Sequence, residues 1–377
     1  MIKLASFSEC CGCSSCVQVC PKQCISFDED NDGFRHPLIN TEKCIDCHLC
    51  EKSCPVLDII PPHEPKYTYY AYNINDEERI NSSSGGVFIE LAKLIIQSGG
   101  IVFGAKYNDN WEVVHSYSES IDGLNSFQGT KYVQSIIGDS YKKVQYFLKQ
   151  NKLVLFTGTP CQVAGLHYFL KKQYDNLITI DFVCHGVPSP LMWRNYLEYI
   201  NPDRLEITKV NMRDKSRGWS HSSYLIQAGS KDLFNDYAKE SIYFRGFITN
   251  LYLRQSCFNC RFKYGKSQSD ITIGDLWGAK SISTDDKGLS LVLINSLKGK
   301  DLFSKTMLKY SNYSYADAVK YNPCIEISTH KPKLYDEFWK LFSHKGILAT
   351  YDIIIRMKPN IFERCLSKFK KYIIRKR

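Results

Sequence analysis

The chain has 377 residues with 44% hydrophobic and 23% charged side chains, enough apolar material for about two or three packed domains. That composition excludes a disordered chain, a collagen-like fibre and a disulfide-stapled miniprotein, and no window approaches ~18 consecutive apolar residues, so no transmembrane helix is expected. The net charge is +10, yet residues 1–65 hold five basic and ten acidic groups, so a segment of −5 precedes a remainder of +15 and two modules with different partners are predicted. Met1–Cys10 carries one lysine and no apolar core of signal-peptide length, which reads as cytoplasmic.

The first predicted element is a cysteine module. Two runs, Cys10-x2-Cys13-x2-Cys16-x3-Cys20-Pro21 and Cys44-x2-Cys47-x2-Cys50-x3-Cys54-Pro55, repeat with a period of 34 residues. This is the spacing of two-cluster bacterial ferredoxins, in which the fourth cysteine of each run serves the other [4Fe-4S] cluster. Cluster one is therefore assigned Cys10, Cys13, Cys16 and Cys54, and cluster two Cys44, Cys47, Cys50 and Cys20. Two-residue gaps let one tight loop wrap three thiolates around the cluster and aim backbone N–H groups at it. Between the runs, Cys24–Phe27 and Phe34–Ile39 read as strands around the turn Asp30–Gly33. Zinc sites use pairs of CxxC, and a disulfide scaffold needs a secreted context, so neither competes well. Cys11 and Cys24 fall outside the pattern and read as small buried residues.

Residues 55–66 hold four of the 13 prolines and mark a stiff boundary. Beyond it, short apolar strands alternate with amphipathic helices: strands at 67–73, 101–106, 111–117, 153–156 and 177–183, helices at 86–97, 139–150 and 161–171, and a helix opening at Ser189-Pro190. Further strands are predicted near 206–212, 222–227, 270–273 and 289–295. The predicted architecture is an α+β ferredoxin-like dicluster domain (1–58), a Pro-rich linker (59–66), an α/β body in two parts (67–150 and 151–330), to which the resemblance set out below adds flavin binding, and a helical basic C-terminal tail (331–377).

Four body cysteines sit where α/β sheets gather ligands, at or near strand ends. Cys161 opens a helix directly after one strand, Cys184 follows another, and Cys257-x2-Cys260 precedes a third. Spacing alone leaves several readings open: buried packing, a low-pKa nucleophile at Cys161, half a zinc site, or a shared third cluster. Ser82-Ser83-Ser84-Gly85-Gly86 enters a helix and suits a diphosphate, though a serine N-cap without ligand is the plainer reading. Gly129–Ser135 is a polar turn into a short strand. Arg213, Lys215 and Arg217 flank Trp219, either as anion ligands or as a solvated turn.

Tyr72-Asn73, SSSGG at 82–86, GTKYVQS at 129–135, FTGTPCQVAGL at 156–166, CHGVPS at 184–189, MRDKSRGW at 212–219, CFNCRFK at 257–263 and DITIGDLWG at 270–278 occur in an order that resembles the coenzyme F420 hydrogenase/dehydrogenase beta-subunit family, fused to a two-cluster ferredoxin domain. The resemblance covers residues 1–330. It implies an FAD-binding body with a cluster held by Cys161, Cys184, Cys257 and Cys260. It also implies FAD contacts from Ser82, Ser83, Ser84, Gly85, Gly86, Lys131, Tyr132, Gln134 and Ser135, with Thr159, Gln162 and Asp275 facing the flavin. The implied activity is an oxidoreductase passing electrons between ferredoxin-type clusters and FAD, then to or from a deazaflavin-type coenzyme or another anionic or sugar-linked metabolite. Ferredoxin or another redox protein is the expected electron partner; the alternative is a relay subunit of a larger redox complex with no substrate of its own.

His185 is a candidate proton donor, with a structural histidine as the plainer reading. Arg213, Lys215 and Arg217 are candidates for an acidic small-molecule substrate. No nucleic-acid motif is present, and the acidic cysteine module would repel phosphates. The tail Ser367–Arg377 carries six cations among aromatic and aliphatic residues; it fits a membrane-surface helix, and fits better an ordinary basic terminus.

Overall fold

The computed structural model describes residues 2–278, 282 and 285–357; the basic segment Ser367–Arg377 lies outside the described residues. The cysteine module comprises α1 (Ser15–Val19), a hairpin of β1 (Ile25–Glu29) and β2 (Arg35–Ile39), and α2 (Leu49–Lys52). The hairpin turns where aspartate and glycine predict it. Asp30 Oδ1 accepts from the amides of Asp32 and Phe34 at 3.0 and 2.8 Å, and Gly33 takes φ +81°.

The body strands are β3 (Tyr67–Tyr72), β4 (Ile101–Tyr107), β5 (Val113–Ser118), β6 (Val154–Thr157), β7 (Leu177–Phe182), β8 (Lys209–Asp214), β9 (Ser223–Ala228), β10 (Lys231–Tyr237), β11 (Ile271–Asp275), β12 (Ser290–Ile294) and β13 (Lys309–Asn312). Eight form one mixed sheet in the order β13-β3-β12-β11-β7-β6-β4-β5. Its centre, β11-β7-β6-β4, is parallel, and the flanks are antiparallel. The parallel strands therefore all end at one edge of the sheet, where Thr157, Phe182 and Asp275 lie.

Period-two alternation sends Val102, Leu155 and Ile178 to one face and Ile101, Phe103, Val154, Phe156 and Leu177 to the other. After the short helix α3 (Asp76–Asn81), the helix α4 (Val87–Gln97) covers the first face with Leu91 and Ile95. The helices α5 (Ser140–Lys149) and α6 (Pro160–Leu170) cover the second. Full burial of each such side chain is worth about 1.5–3 kcal/mol.

The strands β8–β10 form a separate antiparallel sheet. Its core is shared with α7 (Pro190–Ile200), α8 (Ile242–Ile248), α11 (Tyr335–Lys345) and α12 (Ala349–Arg356), whereas α9 (Leu297–Ser304) and α10 (Tyr315–Tyr321) pack against the main sheet. Within the described residues, 331–357 is mainly helical, as predicted. No helix among the described residues is long and apolar enough to cross a membrane.

The short strand expected after Gly129 is instead a loop, with a single bridge from Ile136 to Val114. The Lys131 ammonium folds back on the carbonyls that precede it, donating to Gln128 O at 2.9 Å. The edge strands β10 and β13 are largely exposed and carry no apolar alternation by which sequence could find them.

The cysteine module packs onto α6 and α7 where bulk is absent. A Cβ on Gly165 of α6 would lie 2.8 Å from both Cys13 Cβ and the Tyr141 hydroxyl. Gly165→Ala is expected to cost about 1–3 kcal/mol by overpacking. Denaturant unfolding of the purified variant checks this, and wild-type stability would contradict it.

Candidate functional site

The backbone of the cysteine module repeats its sequence period. Gly12 and Ser14 take φ +70°, and the residues 34 positions on, Asp46 and His48, take φ +49° and +55°. These left-handed residues curl each run so that its three leading thiols face inward; a non-glycine residue in that conformation costs roughly 1–2 kcal/mol. Cys10, Cys13, Cys16 and Cys54 line one cavity, walled by Leu4, Phe27 and Val56. Cys20, Cys44, Cys47 and Cys50 line a second, with Ile2 and Ile25. Each cavity thus takes three cysteines from one run and one from the other. Cys24 also reaches the second, its thiol 3.4 Å from that of Cys20.

In the body, β6 delivers Cys161 into the first turn of α6. That turn is fixed by a capping box in which Gln162 Oε1 accepts from the Thr159 amide at 2.9 Å. Cys184 follows β7, and Cys257 and Cys260 come from the loop before β11. All four line one cavity of about 260 Å³, together with His185, Arg254 and Lys263. Sequence reasoning set Cys11 aside, yet it lines both this cavity and that of Cys10, Cys13, Cys16 and Cys54. Its thiol interacts with both Cys13 and Cys161.

The electrostatics of the body cavity fit an anionic metal cluster. Burial, reinforced by Cys260, pushes the Cys257 thiol up to about 12, and burial raises Cys184 well above the ordinary thiol range. Such thiols hold their protons at neutral pH unless a metal displaces them. Arg254 and Lys263 are 1% and 7% exposed, and neither pairs with a described carboxylate. Among the described residues, no group of three His, Cys, Asp or Glu side chains is arranged to hold a single ion. The cysteines instead line cavities.

His185 is tied into the wall. Its Nε2 lies 2.7 Å from Asn250 Oδ1, an acceptor, so Nε2 carries the proton. Asn250 in turn donates to His330 O at 3.1 Å. Cys324, which sequence analysis did not single out, has its thiol 3.8 Å from His185 Nδ1.

The segments expected to hold a flavin meet at the same sheet edge but divide into two groups. Gln134 and Ser135 face the cysteines: Gln134 Nε2 donates to Cys11 O at 3.0 Å, and Gln162 Nε2 donates to Ser135 Oγ at 2.9 Å. Ser82–Gly86 touches the Gly129 loop instead, where Thr130 Oγ1 and Ser83 Oγ are 2.6 Å apart. Ser84 Oγ bonds Leu289 O, and Gly85 N donates to Ser290 Oγ at 2.9 Å. Gly85 has no room for a side chain, since a Cβ would sit 2.5 Å from Ala71 O.

Between the two groups, Tyr132 packs on Phe247, and its hydroxyl is 3.4 Å from Arg213 Nη1. Arg213 is buried. Its Nη2 lies 2.8 Å from Asp275 Oδ2 without the alignment of a hydrogen bond, its Nε has no partner, and it sits 5.3 Å over the Trp277 ring. Trp277 and Trp219 stack at 5.4 Å. An orphaned guanidinium N–H suits an anionic acceptor.

Lys215 is occupied otherwise, donating to the carbonyls of Arg79 and Ser84 at 2.6 Å each. Arg217 reaches away to Asn235 O at 3.1 Å. Of the three cations proposed for substrate, only Arg213 keeps a free donor atom within this region.

Residues 9–57 match the 4Fe-4S dicluster domain, and residues 151–314 match the family described as the C terminus of the coenzyme F420 hydrogenase/dehydrogenase beta subunit. The coenzyme F420-dependent sulfite reductase of Methanocaldococcus jannaschii is 22% identical over 321 residues, a match covering 80% of this chain and 46% of that protein. Ferredoxin-1 of Caulobacter vibrioides is 41% identical over 54 residues, covering 14% of this chain and 43% of the ferredoxin. The chain thus spans less than half the length of each of these curated relatives. A chain of the F420-reducing [NiFe] hydrogenase complex from Methanosarcina barkeri aligns with a TM-score of 0.47 at 18% identity, over 79% of this chain and 95% of its own.

Proposed function

For an iron–sulfur redox protein that joins a 4Fe-4S dicluster domain to the C-terminal region of the coenzyme F420 hydrogenase/dehydrogenase beta-subunit family, we propose a cytoplasmic flavoprotein oxidoreductase. It moves electrons between three [4Fe-4S] clusters and FAD, and exchanges them with a deazaflavin-type coenzyme or another anionic or sugar-linked metabolite. The carrying observation is the ring of Cys161, Cys184, Cys257 and Cys260 at the carboxyl edge of the parallel strands, with Cys11 shared between that cavity and the one lined by Cys10. Clusters move single electrons and flavin exchanges them for hydride, so a chain holding both converts one form to the other.

The chain's own residues supply position and shelter. Gly165 lets the Cys13 loop close on α6, which shortens the path between the two sets of cysteines. Ala164, Val56 and Phe262 pack around that contact and exclude water. The Ser82–Gly86 turn, Lys131 and the free Nε of Arg213 would bind the flavin's diphosphate or an acidic substrate. His185 stays a candidate for moving a proton, through the Nδ1 that faces Cys324.

Burial pushes the Lys131 ammonium down to about 7. A diphosphate beside it favours the charged form, so FAD binding takes up a proton. Affinity is expected to fall as pH rises from 7 to 9, by at most roughly tenfold per unit. Fluorescence titration of the flavin-stripped protein measures this; a pH-independent Kd would contradict it.

The redox reading is tested by adding an oxidised 5-deazaflavin to anaerobically pre-reduced protein. Bleaching of the deazaflavin supports direct exchange. Reduction of one-electron dyes alone would favour a relay that needs a separate catalytic partner.

A further inference from the structure

Arg254 is a body residue placed at the seam with the cysteine module, and it is 1% exposed. Its Nε donates to Cys10 O at 2.6 Å, Nη1 to Gln134 Oε1 at 3.1 Å and Nη2 to Arg35 O at 2.9 Å. Nη2 also lies 3.3 Å from the His36 ring, and the guanidinium carbon sits 5.3 Å over Phe34. Every acceptor is neutral. No described carboxylate lies within ion-pair distance of Arg254; the nearby Asp30 bonds His36 Nε2 at 3.0 Å and acts on Arg254 only through its longer-range field. A dry cation with no anion in contact is costly to bury.

Two cysteine-lined cavities could supply a contacting negative charge. Arg254 lines the cavity of Cys161, Cys184, Cys257 and Cys260, and its own carbonyl accepts from the Cys257 amide at 2.9 Å. On its other side it grips the carbonyl of Cys10, the first of the set that includes Cys13, Cys16 and Cys54. Gly12 is cut away to admit it, since a Cβ there would lie 3.0 Å from Nη1.

We propose that Arg254 is the counter-charge shared by the body cluster and cluster one, and that it sets the reduction potential of both. The proposal rests on the reading of these two cysteine sets as cluster ligands. Each cluster gains one negative charge when it takes up an electron. A fixed cation beside it therefore favours the reduced form, and removing that cation lowers the potential.

The test uses the full chain, purified without oxygen, as wild type, Arg254→Gln and Arg254→Lys. Iron and sulfide are assayed, and potentials are read by redox titration followed by electron paramagnetic resonance. In Arg254→Gln, two of the three cluster signals are expected to become at least tenfold harder to reduce, about 59 mV each. The third signal, from the set of Cys20, Cys44, Cys47 and Cys50, which Arg254 does not touch, stays in place as the internal reference. Full iron with three unmoved potentials would overturn the proposal.

If the glutamine variant loses iron, the lysine variant decides. Retention of all clusters with both potentials within threefold of wild type shows that the charge is what matters; any other behaviour of the lysine variant overturns the proposal. Absence of iron from the wild type would instead overturn the cluster reading itself.

Discussion

Cys257→Ala is expected to lose about four of about twelve iron atoms per chain while keeping both clusters of the N-terminal module. The size of the effect follows from the geometry. Cys257 is one of only four thiols lining the body cavity besides Cys11, and burial together with Cys260 pushes its own thiol up to about 12. If these four thiols hold a cluster, removing Cys257 leaves three corners. The N-terminal module does not depend on it: its hairpin, its two cavities and its contact with Gly165 are built from other residues. Iron and sulfide assays with the magnetic spectrum of the reduced protein measure the outcome. Unchanged iron would reject the body cluster and return these cysteines to packing or redox roles.

The second large effect separates the two N-terminal cavities. Cys20 lies in the first run but lines the cavity of Cys44, Cys47 and Cys50; Cys54 lies in the second run but lines that of Cys10, Cys13 and Cys16. Cys20→Ala is therefore expected to abolish the cluster nearer α2, and Cys54→Ala the cluster adjoining the body. Cys54→Ala should consequently block electron passage from the module to the flavin, whereas Cys20→Ala leaves the inner cluster in contact with the body. Freeze-quenched spectra during reduction distinguish the two variants. The reverse pattern, with each variant losing the cluster of its own run, would contradict the crossed arrangement.

Local chemistry is what the amino-acid sequence displayed best. Cysteine spacing is a short-range property, and so are the turn at Asp30–Gly33 and the cap at Ser189-Pro190, where Ser189 Oγ accepts from the Met192 amide at 3.4 Å. Cys161 and Cys184 could be placed together because parallel strands end at a common edge, a rule that needs only strand order. Contacts between distant segments were not legible. Arg254 reaches Cys10 across 244 positions, and nothing in its neighbourhood distinguishes it from a surface arginine. Cys11 reads as filler until α6 brings Cys161 against it. The Arg213–Trp219 stretch reads as one cationic unit, but its side chains diverge: Arg213 goes inward to Asp275, Lys215 caps carbonyls, and Arg217 stays on the β10 side. The edge strands β10 and β13 were missed for a related reason, since a strand exposed along most of its length shows no hydrophobic period.

The most direct measurement is a single anaerobic preparation of the full chain in which iron, acid-labile sulfide and released flavin are quantified together. The account predicts about twelve iron atoms, a matching amount of sulfide and about one FAD per chain. A preparation with only about eight iron atoms, or one without releasable isoalloxazine, would contradict a body that couples a cluster to a flavin.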